Sequence, residues 1–210
     1  MPTLQDKTQS ARVFCVGSGR LLGFIVSKDG IRLDPCKVQA IINLPPPSNL
    51  LQIQKLQGKA NFLRRFIPNY AEPAKGYTHL LKKEVPFVWD QVAQASFDAL
   101  KESLMKASLM YAPDYQKDFN LYLVAADTTI TMVLVQEDNR IEHPIYYLSR
   151  NLNDTESKYS YVEKLALAVV QAIQRFRHYV LFRKTTILSD CNPMTYILSR
   201  QLLGGKYSNG

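Results

Sequence analysis

The residues with the clearest chemical potential are cations in the first half of the chain. Lys55 and Lys59 stand one helical turn apart, and Arg64 and Arg65 follow them closely. Their positive charge attracts the negatively charged phosphates of a nucleic-acid backbone. An ordinary solvated basic surface explains the same residues equally well, because many basic domains bind no nucleic acid.

The excess of positive charge is confined to the same region. The 210-residue chain has a formal net charge of +8. Residues 12–83 hold 12 Lys/Arg and three acidic residues, whereas residues 84–210 hold 13 Lys/Arg and 14 Asp/Glu. One segment therefore provides the basicity, as a phosphate-contact zone would.

Other common sites find little support in the sequence. The three cysteines, Cys15, Cys36 and Cys191, are far apart and without CxxC spacing, which argues against a zinc site or a disulfide framework and fits a reducing compartment. No apolar run approaches the roughly 18 residues of a membrane span. The polar N-terminus lacks an apolar signal segment. We therefore expect no membrane partner, no secretion and an intracellular location in the cytoplasm or nucleus.

The elements that must position the cations are short strands and helices. A turn at Asp29-Gly30 predicts a hairpin. Asp34-Pro35 predicts the start of a helix that ends before the prolines after Leu44. Ser48 is a candidate cap for the next helix, and two apolar helical faces follow at Ile53–Ile67 and Ala74–Lys83.

The second half changes to strand patterns after a helix that begins at Trp89-Asp90. Its predicted elements are strands 119–126, 129–136 and 144–148 with a turn at 137–139, a helix 161–182, a strand 185–189 and a helix 193–200. The long helix is expected to turn Ala166, Val169, Val170, Ile173 and Phe176 inward. Three antiparallel strands, a helix, a parallel strand and a helix are typical of the front of an RNase H-like fold. The fold class is α/β (α+β).

Seven phrases then identify a family resemblance. They are residues 22–31, 34–47, 63–68, 87–89, 146–150, 163–168 and 188–190. Their order and spacing over roughly residues 14–200 resemble the Pol polyproteins of gypsy-type LTR retrotransposons. The resemblance implies the C-terminal part of a reverse transcriptase joined to an RNase H-like domain.

The resemblance also implies a division of the chain. The expected parts are an N-terminal tail (1–13), a palm-end hairpin (14–33), a basic helical thumb-like unit (34–84), a connecting helix (85–116), an RNase H-like mixed sheet with flanking helices, truncated at its C-terminus (117–203), and a disordered tail (204–210). In this family the thumb grips the template–primer duplex. Lys55, Lys59, Arg64 and Arg65 thus become candidates for contacts to the backbone of a duplex or RNA–DNA hybrid.

The expected chemistry is incomplete. The family's polymerase uses adjacent aspartates, and no Asp-Asp pair occurs in this chain. Its RNase H uses four carboxylates that hold two Mg²⁺ ions. Glu163 and Asp190 match two of these metal-binding, catalytic positions. Val124 occupies the first-strand position and cannot bind a metal, and the family's motif does not support Asp127, three residues later, as its substitute.

The leading interpretation is a catalytically inactive Pol fragment that retains affinity for nucleic-acid backbone and holds no Mg²⁺. One alternative is a weak Mg²⁺-dependent RNase H endonuclease that uses Asp127, Glu163 and Asp190. A register shift at Thr128-Thr129 that brings Asp127 near Asp190 would favour it. Another is a structural, connection-type interaction domain, which self-association into a dimer would favour.

Overall fold

The first part of the molecule is a small antiparallel sheet. A computed structural model describes residues 18–204 of the chain. The strands of this sheet are β1 (Ser18–Leu21), β2 (Phe24–Ser27) and β3 (Gly30–Leu33). The turn that joins β2 to β3 lies at Lys28-Asp29, one residue earlier than the predicted Asp29-Gly30, and Gly30 already pairs with Ser27. A second turn, which we did not predict, lies at Leu22-Gly23, where both residues have positive φ angles (50° and 83°), as tight hairpin turns require.

Four helices follow this sheet and complete the first unit. They are α1 (Pro35–Ile42), α2 (Leu50–Leu63), α3 (Ala71–Thr78) and α4 (Gln91–Met105). Single 3₁₀ turns at Arg64–Phe66 and His79–Leu81 extend α2 and α3. The apolar faces predicted as continuous helices to Ile67 and Lys83 therefore end in tighter turns.

The caps of the first two helices show one correct prediction and one wrong one. Asp34 caps α1, because its carboxylate accepts the backbone N–H of Cys36 at 3.0 Å, and Pro35 follows at the first helical position. Ser48 does not cap α2. The side-chain oxygen of Asn49 accepts the backbone N–H of Gln52 at 3.0 Å instead. Asn is an equally good capping residue and stands one position closer to the apolar face.

One hydrophobic core holds the first unit together. Its largest fully buried side chains come from α1, α2, the first 3₁₀ turn, α3 and α4, and they include Ile41, Ile53, Leu56, Leu63, Phe66, Tyr77, Phe97 and Leu100. The sheet contributes Phe24 and Leu33. The basic helix α2 thus has one side fixed in a core, which leaves its other side for solvent or a partner.

The second unit is a four-stranded mixed sheet in the order β6-β5-β4-β7. Its strands are β4 (Phe119–Ala125), β5 (Thr129–Asp138), β6 (Ile141–Asn151) and β7 (Thr185–Leu188). The strand β5 pairs antiparallel with both β4 and β6, and β7 pairs parallel with β4. This topology confirms the predicted front of an RNase H-like fold.

The turn between β5 and β6 lies later than predicted. We expected it at residues 137–139, but β5 continues through Asp138, and the turn is formed by Asn139 and Arg140. Both have positive φ angles, 52° and 66°. This conformation is the one that two-residue hairpin turns favour, and Asn adopts it readily.

The long helix α5 (Tyr161–Val180) covers one face of this sheet. Its buried stripe runs through Leu165, Ala168, Val169, Ala172 and Phe176. The prediction was wrong for Val170 and Ile173, which are 43% and 49% exposed. The sequence contains two overlapping apolar series at helical spacing, and the sheet buries the one that includes Leu165.

The final helix, α6, spans Pro193–Gly204. It is longer than the predicted 193–200. Gln201, Leu202 and Leu203 are good helix formers, and no proline lies between Met194 and Gly204 to end the helix earlier. The N-terminal tail (1–13), the start of the palm-end hairpin and residues 205–210 of the predicted disordered tail lie outside the described residues. Between residues 18 and 204, no helix is long and apolar enough to cross a membrane.

Polar contacts join the two units. The hydroxyl of Thr131 on β5 donates to the side chain of Asn69 at 2.9 Å. The backbone N–H of Ala71 donates to the hydroxyl of Ser149 at 2.9 Å. Tyr146 and Tyr147 of β6 also pack against the core of the first unit. The two units therefore share a seam along β5 and β6.

Candidate nucleic-acid interface and carboxylate site

The two candidate lysines are exposed on α2, one turn apart. The fold places their neighbours Ile53, Leu56 and Ala60 in the core. Among residues 18–204, neither Lys55 nor Lys59 lies within ion-pair distance of an acidic side chain. Both amines are therefore available for a phosphate.

The two candidate arginines lie in the 3₁₀ turn after α2 and are half-buried. The guanidinium of Arg65 stands 4.5 Å from the ring centre of Phe24 and 5.2 Å from that of Phe66. These cation–π contacts give Arg65 a packing role in addition to any contact with a ligand. The structure therefore divides the four predicted cations into two solvated lysines and two partly packed arginines.

The acidic residues near this surface do not neutralise it. The carboxylate of Asp34 caps α1 and lies 3.8 Å from the guanidinium of Arg20. Ion pairs elsewhere in the described chain lie in α4 and the second unit, as in Lys106–Glu102 and Arg150–Glu156. The α2 surface consequently keeps its positive charge.

Glu163 stands at the start of α5 with both carboxylate oxygens engaged. Its Oε2 atom accepts the backbone N–H and the hydroxyl of Ser160 at 2.9 and 2.8 Å, which completes a capping box. Its Oε1 atom accepts the hydroxyl of Tyr196 at 2.8 Å. The local reason for an acid at this position is therefore the helix terminus itself.

Asp190 follows the end of β7 and is exposed. It accepts the hydroxyl of Tyr161 at 3.2 Å, and burial together with this hydrogen bond raises the pKa of Tyr161. Asp190 does not cap the next helix, because the side chain of Asn192 accepts the backbone N–H of Met194 at 3.0 Å. Its carboxylate thus accepts a tyrosine hydroxyl and caps no helix.

Val124 lies on β4, the strand with which β7 pairs in parallel. The register ends at Tyr122 and Leu188, and Val124 and Asp190 each lie two residues beyond this last pair. The valine side chain is 56% exposed. The predicted first-strand position thus carries an exposed isopropyl group, which cannot bind a metal.

Asp127 lies in the turn after β4 rather than on the strand. The β4–β5 register is continuous from Asn120 to Ala125, and the irregular register lies between β5 and β6, at Leu134/Val135. The structure therefore contains no register shift at Thr128-Thr129 of the kind that would carry Asp127 towards Asp190.

The described carboxylates do not fit a two-metal site. Mg²⁺ needs several oxygen ligands at once. Across residues 18–204, no three Asp, Glu, His or Cys side chains stand close enough together to hold a metal ion. Val124, at the predicted first-strand position, supplies no ligand.

The sequence analysis missed two lysines that hold the β4–β5 turn. Lys164 is only 7% exposed, and its amine donates to the backbone carbonyl of Asp127 at 3.0 Å. Lys75 of α3 donates to the hydroxyl of Thr128 at 2.9 Å. The one available signal was that Lys164 adjoins the apolar face of α5, but its partner is 37 residues away.

Comparison with known families gives the second unit an assignment. Residues 89–187 match the family described as the RNase H-like domain found in reverse transcriptase. This segment is similar to that family. The match begins at Trp89 and therefore includes α4 as well as the mixed sheet.

Curated relatives extend the likeness over most of the chain. The Pol polyprotein from transposon 297 of Drosophila melanogaster is 37% identical over 194 residues, 92% of this chain and 18% of the relative. Those from transposons opus and gypsy of the same species are 34% and 31% identical, covering 88% and 95% of this chain and 20% of each relative. The chain is related to gypsy-type Pol polyproteins and spans about a fifth of their length.

Solved structures share the fold. One, described as foamy viral protease-reverse transcriptase dRH in complex with ds DNA, has a TM-score of 0.77 and 22% identity over 87% of this chain and 32% of its own. Another, of the protease-reverse transcriptase in complex with RNA/DNA hybrid, has a TM-score of 0.77 and 20% identity over 97% of this chain and 30% of its own. At such identities the likeness shows the architecture alone.

Proposed function

We propose that this chain is a nucleic-acid-binding piece of a gypsy-type Pol polyprotein that holds a duplex or RNA–DNA hybrid by its backbone and does not cleave it. The observation that carries the proposal is the group of four cations on α2 and its following turn, none of which forms an ion pair with a carboxylate of residues 18–204. Contacts of lysine and arginine with phosphates fix position without reading sequence. The complexes with ds DNA and RNA/DNA hybrid formed by proteins of this fold support the same role.

In this proposal the parts of the chain have separate tasks. Residues 14–33 are the palm-end hairpin, and residues 34–84 are the thumb-like unit that contacts the backbone. Residues 85–116 connect this unit to the RNase H-like unit at residues 117–203, which supports the bound duplex. We place the protein in the cytoplasm or nucleus, and self-association stays a prediction.

The binding test compares two variants with equal loss of charge. In the first, Lys55, Lys59, Arg64 and Arg65 are changed to Gln. In the control, four exposed cations of the second unit are changed to Gln: Arg140, Lys158, Arg177 and Lys184. A gel shift of a labelled RNA–DNA hybrid should weaken roughly tenfold or more in the first variant and much less in the control. Equal weakening in both would show that net charge, not this surface, binds the hybrid.

The inactive state is the second part of the proposal. We expect no cleavage of an end-labelled RNA–DNA hybrid in Mg²⁺ or Mn²⁺, because the described carboxylates cannot hold two metal ions. A Glu163→Gln, Asp190→Asn double variant serves as the control for contaminating nuclease. Cleavage by the original chain that disappears in this variant would replace the proposal with an active RNase H.

A further inference from the structure

A cavity of about 580 Å³ lies between the proline loop after α1, the helix α2 and the helix α4. Its lining residues are Leu44, Pro45, Pro47, Gln52, Lys55, Leu56, Gly58, Lys59 and Phe97. The volume falls within the range of small-molecule sites, which are mostly apolar with a few polar groups that orient the ligand.

The walls of the cavity are held in place without a ligand. The amine of Lys101 on α4 donates to the carbonyl of Leu44 at 2.8 Å and stands 4.2 Å from the ring centre of Phe97. Three consecutive prolines fix the φ angles of the loop. The backbone N–H of Ser48 donates to the side chain of Gln52 at 2.8 Å. A pre-formed site loses little conformational entropy when it binds a ligand.

The polar groups of the cavity select for negative charge. Lys55 and Lys59 line it, and its lining contains no acidic residue. Neither amine forms an ion pair with another described side chain. A phosphate of a nucleic-acid backbone would use the two amines but leave the apolar wall of Leu44 and Pro45 without a partner. The matching chemistry is an apolar body with one anionic end.

We propose that this cavity binds a small amphipathic organic anion, with an aromatic or short aliphatic body against Leu44 and Pro45 and a carboxylate or sulfonate beside Lys55 and Lys59. The inference rests on the proposed function in one respect, because the same two lysines are assigned to the hybrid backbone. Occupancy of the cavity therefore competes with nucleic-acid binding.

Gly58 allows a sharp test. It lies in α2 on the wall of the cavity, and a Cβ atom added there meets no atom within 4 Å. Gly58→Leu fills the cavity and keeps both lysines, whereas Gly58→Ala leaves most of the space. Both changes introduce better helix formers, so the variants are expected to fold, which circular dichroism checks.

The probe is 8-anilinonaphthalene-1-sulfonate, titrated into the full chain and followed by its fluorescence. We expect saturable binding by the original chain and by Gly58→Ala, at least about tenfold weaker binding by Gly58→Leu, and severalfold weaker binding by a Lys55→Gln, Lys59→Gln variant. Binding to Gly58→Leu with undiminished affinity would overturn the inference, because the probe would then occupy another surface.

The competition is measured separately. The affinity of each variant for the labelled hybrid is determined first, and the probe is then added. It should release hybrid from the original chain and leave the complex of Gly58→Leu unaffected. If the original chain binds the probe but no hybrid, the proposed function fails and the cavity assignment stands. If it binds the hybrid but not the probe, only the cavity assignment fails.

Discussion

Lys55 and Lys164 carry the same charge in opposite surroundings. Lys55 is exposed on α2 and lies near no acidic side chain in the described part of the chain. Lys164 is buried, and its amine donates to the carbonyl of Asp127. Removing a charged donor from a partly buried hydrogen bond costs stability, whereas removing a charge that only water contacts costs little. The roles of the two lysines are therefore separable by measurement.

Replacing each lysine by methionine tests this difference. Lys164→Met retains most of the side-chain length but removes the donor to Asp127, so we expect the free energy of unfolding to fall by about 1–3 kcal/mol. The matched Lys55→Met change should alter it by less than about 0.5 kcal/mol. Urea denaturation measures both. Equal effects would mean that the buried hydrogen bond does not hold the turn.

The buried tyrosine pair predicts a dependence on alkaline pH. The hydroxyls of Tyr70 and Tyr77 are 3.1 Å apart, and burial raises the pKa of both. A tyrosine whose folded pKa exceeds its unfolded value loses its proton first in the unfolded state. The stability that it contributes is therefore full below about pH 10 and is lost as the pH rises above that value.

A Tyr77→Phe variant isolates this contribution. Between about pH 9.5 and 11, its free energy of unfolding should fall less steeply with pH than that of the original chain. Urea denaturation at several pH values gives the two slopes. Parallel slopes would show that other groups cause the alkaline loss of stability.

At the scale of elements, two glycines in helices have opposite surroundings. A Cβ atom at Gly76 of α3 would overlap the hydroxyl of Ser96 and lie 2.7 Å from the carbonyl oxygen of Val92, both on α4. A Cβ atom at Gly58 of α2 would meet nothing. Gly76 thus permits the close approach of α3 and α4, while Gly58 has no packing reason to be glycine.

The two alanine substitutions should therefore have opposite signs. Gly76→Ala is expected to lower the free energy of unfolding by about 1–3 kcal/mol through overpacking. Gly58→Ala is expected to raise it by about 0.5–1 kcal/mol, because alanine is the better helix former. Thermal denaturation of both variants checks the signs. A neutral Gly76→Ala would mean that α3 and α4 can separate without cost.

The sequence predicted most elements because their signals are local. Apolar spacing, the Asp34-Pro35 start and a turn beside Gly30 were sufficient to predict the helices and strands that contain the candidate residues. The errors arose where two local solutions compete. Asn49 replaced Ser48 as a cap, and Val170 and Ile173 belong to an apolar series that the sheet does not bury. The packing of the folded chain decides which cap and which apolar face are used.

At the scale of the whole molecule, long-range partners lay beyond prediction. The contacts of Thr131 with Asn69 and of Lys75 with Thr128 join residues more than 50 positions apart, and no periodicity encodes them. The charge distribution could be predicted, because the net charge of a segment does not depend on which residues it contacts. The basic first unit and the nearly neutral second unit were visible in the sequence, and the structure concentrates the candidate cations on α2 and its following turn.

The measurement that tests the central claim most directly is the salt dependence of hybrid binding. Fluorescence anisotropy of a labelled RNA–DNA hybrid gives the association constant over a range of NaCl concentrations. Four phosphate contacts predict a slope of about −3 to −4 for the logarithm of the constant against that of the salt concentration. Changing Lys55, Lys59, Arg64 and Arg65 to Gln should bring the slope close to zero. An association constant that does not change with the salt concentration, or a slope that the four substitutions leave unchanged, would contradict the account.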